Sequence, residues 1–429
     1  MLARLVRSPA KPSFACGDPM FIPFLRAAAL AAALLPCLAK AAPLSLETAL
    51  QLAVQRSEAA RAARAGILSA TEIAHVAGQL PDPVLRAGVD NLPATGPDRF
   101  STTRDSMTMK RIGISQEWLS AEKREARQAA AQASIAREAV QAQIAIADTR
   151  LQTTLAYVDA FYAGETLKLT TLMEHHVHEE FEVARARLSS AAGNSQDVLS
   201  LTGAKGSSED ESADVRQQQS AARLALQRWV GVMPDDLAPI QFASLPTEEA
   251  YVAGHPSVAA MQQDLEMARQ VAAVAATNRK PNWTWEVAYG QRTGYSDMVS
   301  FGVSIPLPIA PGERQDRETA AKLALVDRAE ADLAEATRAA AAEYRTLDSD
   351  AQRLQQRIGR YREGVVTPAE QRTAAATAAY RSNRASLVTL FEARHAEVEA
   401  QRKLLMLQRD LAKAQAQLAF RPLASEVAP

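Results

Sequence analysis

The residues best equipped for chemistry lie in one short stretch, LMEHHVHEEFE, from Leu172 to Glu182. The chain has six histidines in 429 residues, and three of them, His175, His176 and His178, fall here among Glu174, Glu179, Glu180 and Glu182. On a helix, His175, His178 and Glu179 share a face, and the pairs Glu174/His178 and His176/Glu180 stand one turn apart. Imidazole nitrogen and carboxylate oxygen together suit Zn²⁺ or another divalent first-row metal. His175, His176, His178 and Glu179 are therefore the candidate metal contacts. The same residues also read as the solvated face of a long helix, or as a surface offered to a partner protein. No HExxH and no second ligand cluster accompanies them. His75 and His395 are isolated, and His255 before Pro256 reads as a helix start. The chain holds no phosphate-cradling glycine loop and no GxSxG elbow, and its two cysteines are Cys16 and Cys37. Nothing here points to an enzyme, and no cofactor is expected.

The carrier of this stretch must be helical. Apolar residues make up 47% of the chain, and long tracts are rich in Ala, Gln, Arg and Glu with little Gly or Pro, the composition of long helices packed side by side. The N-terminus reads as a secretory leader over 1–41, with Met20 as an alternative start. Arg26 precedes an apolar run from Ala27 to Leu38, followed by Ala39-Lys40-Ala41 as a cleavage site. That run is too short for a permanent span, which needs about 20 residues. Cleavage would remove both cysteines, and Pro36 before Cys37 departs from the small residue that a lipid-attachment site requires there. It would also remove five cations and Asp18, taking the formal charge from −1 to about −5. A basic nucleic-acid partner surface is not expected.

The chain then repeats itself at an offset that drifts from about 200 to about 190 residues. The segment from Ser57 matches the one from Ser257, with Pro81 over Pro281. IGISQEW from Ile112 matches FGVSIPL from Phe301, and Gly193 stands opposite Asn383. The unit is helix, strand, strand, long helix, turn, helix. The expected organisation is a first repeat over 42–230, with a β-hairpin at 83–118 and a helical hairpin at 121–230. A connection at 231–256 leads to a second repeat over 257–420, with a β-hairpin at 282–307 and a helical hairpin at 313–420. A flexible tail, 421–429, follows.

The extended runs alternate with period two. Trp283, Trp285, Val287 and Tyr289 oppose Thr284, Glu286 and Ala288, and Val299, Phe301, Val303 and Ile305 oppose Ser300, Gly302 and Ser304. Leu85, Ala87 and Val89 oppose Arg86, Gly88 and Asp90. Apolar-out, polar-in alternation with aromatic ends is the pattern of a transmembrane β-barrel. It places Arg86, Asp90 and Glu286 as lumen charges. Four strands cannot close a barrel, for which about eight is the minimum, and open edges are not tolerated in lipid. Three copies sharing one wall would supply about 12 strands.

From Ala121 to Ser189 there is no proline, which predicts a helix of roughly 100 Å. The tract from Glu313 to Tyr380 is similar, with a kink expected near Pro368. Gly193-Asn194 and Ser382-Asn383 mark tight reversals that use residues tolerant of left-handed backbone. TGAKGSSEDESA, Thr202 to Ala213, is a poor helix former, and a break is expected there. The expected fold is mainly α with a small membrane β part, in which long helical hairpins form a helical barrel below a trimeric 12-stranded β-barrel.

This arrangement resembles the TolC-type outer-membrane efflux proteins over essentially the whole mature chain. LPDP, DNLP, MTMKRIGISQE and EKR, in that order between Leu80 and Arg124, are most similar to the CzcC-like heavy-metal branch. The resemblance implies a homotrimer in the outer membrane reaching into the periplasm of a Gram-negative cell. It implies docking by a periplasmic adaptor (membrane fusion) protein and an inner-membrane, proton-driven RND-type pump, with cobalt, zinc and cadmium or copper and silver as cargo. By position it puts extracellular loops at 91–109 and 291–297, an equatorial belt at 231–256 and periplasmic tips at 190–197 and 380–387. Gly193, Asn194, Asn383 and Arg384 would then be the adaptor-docking tips. Aspartates that close the tip in some relatives are absent beside the second reversal, where Tyr380, Arg381, Arg384 and Glu392 stand instead, with Asp197 on the first. A drug or type I secretion exit channel, and a periplasmic adaptor or structural coiled coil, are the alternative readings.

Overall fold

Two very long helical tracts set the dimensions of the molecule. The computed structural model describes residues 43–242 and 244–423. The expected leader, Cys37 and tail residues 424–429 lie outside the described residues. Leu46–Arg56 (α1) and Glu58–Ala77 (α2) lead into strands Val84–Asp90 (β1) and Met109–Trp118 (β2), then helices Ala121–Ser189 (α3) and Ser195–Val230 (α4). Glu248–Ala253 (α5) and Pro256–Thr277 (α6) precede strands Trp283–Gln291 (β3) and Met298–Ser304 (β4). The chain closes with Gln315–Tyr361 (α7), Thr367–Arg381 (α8) and Leu387–Phe420 (α9). With 69 residues, α3 is about 100 Å long at ~1.5 Å per residue.

The helices begin where the sequence supplies an oxygen for the first free amides. Ser45, Ser57, Ser120, Asn194 and Ser386 cap α1, α2, α3, α4 and α9 in this way. Their interfaces are built largely from alanine: Ala60, Ala74, Ala147, Ala160, Ala272, Ala340, Ala393 and Ala416 are all buried. Small side chains let the helix axes approach closely. The buried Thr149, Thr153 and Thr154 satisfy their hydroxyls on carbonyls one turn back, at 2.7–2.8 Å. Midway along α3, Tyr157 is fully buried and donates to the carbonyls of Leu44 (2.6 Å) and Ala238 (2.8 Å), pinning the connecting segments to the helices.

The expected break at Thr202–Ala213 is absent, because α4 is continuous from Ser195 to Val230. Packing against α3 overrides local propensity: Leu201, Ser208, Ser212 and Val215 are buried, while Gly203 and Gly206 face open space. The second tract does change before Pro368. Residues Arg362–Val366 form a π-helical turn between α7 and α8, so the proline's missing N–H falls in the first turn of α8, where none is required.

The strands form one antiparallel sheet in the order β1-β2-β3-β4. Register aligns Leu85, Ile114, Val287 and Phe301 in one row across the sheet, and Ala87, Ile112, Tyr289 and Val299 in another. The adjoining row is Arg86, Gly113, Ala288 and Ser300. Gly113 is fixed there by contact. A Cβ at this position would stand 2.8 Å from Ala288 Cβ and 3.1 Å from the Val287 carbonyl oxygen, whereas one at Gly88 would meet nothing within 4 Å. Gly113→Val is therefore expected to destabilise the protein by about 1–3 kcal/mol through overpacking, and Gly88→Val much less. Thermal unfolding of the two variants in detergent checks this difference, and equal melting temperatures would contradict it.

Candidate channel wall

The sheet separates its chemistry by face. One face carries Leu85, Ile112, Ile114, Val299, Phe301 and Val303, which are 44–80% exposed. Six large apolar side chains side by side on an open sheet are costly in water and suited to lipid. Trp118 and Trp283 pair across β2 and β3 at 6.4 Å between ring centroids, at the end of the strands that joins the helices. Tyr289 and Tyr295 lie toward the opposite end. Aromatic rings at both ends of an apolar band are what a membrane interface selects.

The other face carries the charges. Arg111 Nη2 donates to Glu286 Oε1 at 2.8 Å, and its Nη1 reaches Asp90 Oδ2 at 3.4 Å, while Arg86 Nη1 stands 3.8 Å from Glu286 Oε2. The three residues expected as lumen charges, Arg86, Asp90 and Glu286, thus belong to one network, and Arg111 is the hub that sequence reading missed. The signal was the β1–β2 register: Arg111 opposes Gly88 and so falls on the same face as Arg86 and Asp90. The four charges of this network balance one another.

Both layers of the molecule are open at matching edges. The sheet ends in β1 on one side and β4 on the other. Below it, α2 packs on α3, α3 on α6, and α6 on α7. Helix α2 leads into β1, and β4 leads into α7, so sheet edge and helix edge fall on the same side at each end. Farther along, α4 packs on α3, α3 on α9, and α9 on α7 and α8. The two helical hairpins are joined there by charge, with Asp159, Glu180 and Glu211 from α3 and α4 meeting Lys413, Arg394 and Arg402 from α9.

The Glu180–Arg394 pair, at 2.6 Å, is the most deeply buried of these. Glu180 uses Oε1, while its Oε2 is buried with no hydrogen-bond partner. Burial pushes its carboxyl up to about 6, and Arg394 offsets only part of that. Beside it, Ala184, Leu201, Leu387 and Leu390 form an apolar cluster with Phe181, Val198 and Tyr380 that ties the four helix ends together. Arg187 stacks 5.1 Å over the Tyr380 ring across the two hairpins.

The second reversal uses the device expected of it, and the first uses another. In the first, Ala191 takes the left-handed backbone (φ 58°). Gly193 serves close approach instead, since a Cβ would sit 3.0 Å from Arg187 Cβ and 3.0 Å from the Leu188 amide nitrogen. Asn194 caps α4 through Oδ1, accepting from the amides of Gln196 (2.5 Å) and Asp197 (3.1 Å). In the second, Asn383 is left-handed (φ 54°), and the exposed Arg384 donates its amide to the Ala379 carbonyl at 2.8 Å.

The histidines lie on α3 beside Glu179. His175 Nε2 stands 3.3 Å from Glu179 Oε1, and His176 Nδ1 stands 3.6 Å from Glu179 Oε2. His175 and His178 are exposed. Glu174 is taken by Arg216 of α4 at 2.6 Å. Among the described residues, no group of three His, Cys, Asp or Glu side chains is arranged to hold a metal ion. Two of the three imidazoles, those of His175 and His176, thus lie near one carboxylate.

No family model matches this chain, and no curated protein matches it. Solved structures do. The outer membrane protein VceC of Vibrio cholerae is 20% identical over 88% of this chain and 96% of its own, with a TM-score of 0.71. The outer membrane channel CmeC of Campylobacter jejuni is 12% identical over 89% and 87%, at 0.74. The MtrE outer membrane channel of Neisseria gonorrhoeae, in its open state, is 15% identical over 88% and 88%, at 0.72. This chain has their fold: a mainly helical protomer with long hairpins and a small four-stranded antiparallel sheet.

A carboxyl whose folded value is raised favours the native state at low pH and loses that contribution as pH rises. From the ordinary 4.5 to about 6 for Glu180, the loss is on the order of 2 kcal/mol. It develops between those two values and is complete above them. Glu180→Gln should narrow the drop in melting temperature between pH 4.5 and pH 7.5. A drop unchanged by the substitution would place the titration elsewhere.

Proposed function

We propose that this chain is one third of a passive outer-membrane exit duct, the last stage of a proton-driven tripartite exporter. The observation that carries this reading is the pairing of a lipid-suited face, a charged inner face and unpaired edges in one four-stranded sheet. A sheet of this kind is stable in a bilayer only when its edges find strands, since unsatisfied backbone groups in hydrocarbon cost several kcal/mol each. Three copies give 12 strands, within the range of such barrels. The helical hairpins then line up below as a second tube, and the names outer membrane protein and outer membrane channel borne by VceC, CmeC and MtrE fit that assembly.

In this duct Arg86, Arg111, Asp90 and Glu286 line the lumen of the barrel and keep it wetted. The reversals at Gly193–Asn194 and Asn383–Arg384 end the helical tube, where a periplasmic adaptor would dock and couple the duct to an inner-membrane pump of the RND type. The cargo we assign is heavy-metal cations, on the strength of LPDP, DNLP and MTMKRIGISQE in the first repeat. A ring of His175, His176, His178 and Glu179 from three copies would offer passing ions transient contacts. A drug or secretion exit channel is the second reading, favoured by the lack of a three-ligand set among the described residues.

Deletion of the gene separates these readings. The metal reading expects tolerance of zinc, cobalt, cadmium or copper to fall several-fold while tolerance of lipophilic drugs stays unchanged. The reverse pattern would establish the second reading. Changing His175, His176 and His178 together to Ala is expected to leave assembly intact and lower metal tolerance at normal expression. Unchanged tolerance would leave that stretch as plain surface.

A further inference from the structure

Immediately after β4 the chain runs Ile305-Pro306-Leu307-Pro308-Ile309-Ala310-Pro311. Leu307 is 77% exposed and Ile309 94%, the latter more exposed than any other large apolar side chain described. Prolines on either side remove the amides that would let this segment continue the sheet, and they hold its backbone extended. The strap therefore presents two aliphatic side chains at low entropic cost, in the manner of a preorganised binding segment.

Its level in the molecule is fixed by register. Ser304, the last residue of β4, pairs with Thr284, next to Trp283 of the Trp118–Trp283 pair. Tryptophans mark the water boundary of a membrane protein, so the strap begins where lipid ends. Left in water, Leu307 and Ile309 would each forgo the burial that stabilises a large aliphatic side chain.

What adjoins the strap follows from strand alternation. In a closed sheet β4 of one copy runs antiparallel to β1 of the next, so the end of β4 meets the start of β1. The start of β1 is Val84, preceded by Leu80, Pro81 and Pro83. Behind these, α2 carries exposed Leu68, Ile73 and Val76, at 61–67%. A groove of about 570 Å³ opens there, lined by Val76, Leu80, Pro81, Val271 and Val274. We infer that Leu307 and Ile309 of each copy seat on Val76, Leu80 and Pro81 of the next, sealing the joint where sheet gives way to helices. The occupant is a second copy of this chain. The inference rests on the three-copy reading and adds to it a specific latch outside the sheet.

The test uses the full chain with Cys16 and Cys37 replaced by Ser. Ile309→Cys is combined with Leu80→Cys or with Val76→Cys and oxidised, since a disulfide requires Cβ atoms about 3.5–4.5 Å apart. Val84→Cys with Ser304→Cys, joined by a short bis-maleimide, reports the sheet joint itself. Dimer and trimer bands from the sheet pair and from at least one strap pair are expected. Linking of the sheet pair alone would overturn the latch and leave three-copy closure standing, with the strap given to lipid or water. Failure of both would remove the three-copy reading along with the latch. The variant Leu307→Ser with Ile309→Ser should reduce heat-resistant trimer several-fold while the sheet pair still links. Trimer of undiminished heat resistance would also overturn the latch.

Discussion

A row of backbone amides and carbonyls left unpaired along β1 and β4 governs this structure. In water such an edge is a manageable liability. In the proposed duct, beside a face built from Leu85, Ile114, Phe301 and Val303, the edge lies in hydrocarbon, where no solvent can satisfy it. The described residues supply four strands, half of what the narrowest barrel needs. In the duct we propose, the rest of the wall comes from identical chains, and the lumen is a property of the assembly. The same constraint explains why the polar face holds a balanced network around Arg111 in place of a packed core. In the proposed duct that face of a single copy covers only part of the circumference and has no opposing wall of its own.

The helices obey the arrangement that the sheet imposes. Because α2 enters β1 and α7 leaves β4, helix edges stack under strand edges, and in the proposed assembly one closure serves both layers. Alanine-rich interfaces let the helices lie close over a length of about 100 Å. Where the two hairpins meet, ion pairs add to the apolar packing. Three ion pairs join α9 to α3 and α4, and the deepest, Glu180–Arg394, holds a carboxylate oxygen without a partner. Breaking such a pair strands a buried charge, so its contribution lies in fixing which faces meet more than in raw stability. The seam between hairpins is thus specific in register and sensitive to protonation, unlike the alanine interfaces within them.

Much of this was legible in the sequence because two periodicities do not overlap. Period-two alternation at Trp283–Tyr289 and Val299–Ile305 gave the β3 and β4 faces, and the internal repeat carried the same reading to the weaker β1 and β2. Arg86, Asp90 and Glu286 were placed on one face for the same reason. Arg111 was not found, since its partnership depends on cross-strand register, which no single strand encodes. The break expected at Thr202–Ala213 failed because propensity is local, whereas Leu201 and Val215 are buried in the helix packing. At the first reversal glycine was expected to supply the left-handed residue. Ala191 does so, and Gly193 is required by the nearness of Arg187 instead. At the histidine stretch, helical spacing places the imidazoles of His175 and His176 near the Glu179 carboxylate.

Native mass spectrometry of the particle extracted from membranes tests the central claim most directly. Three chains in one complex, released only with detergent, is the result predicted. A folded single chain that stays in aqueous solution without detergent or lipid would show that β1 and β4 need no partner strands, and would contradict the account.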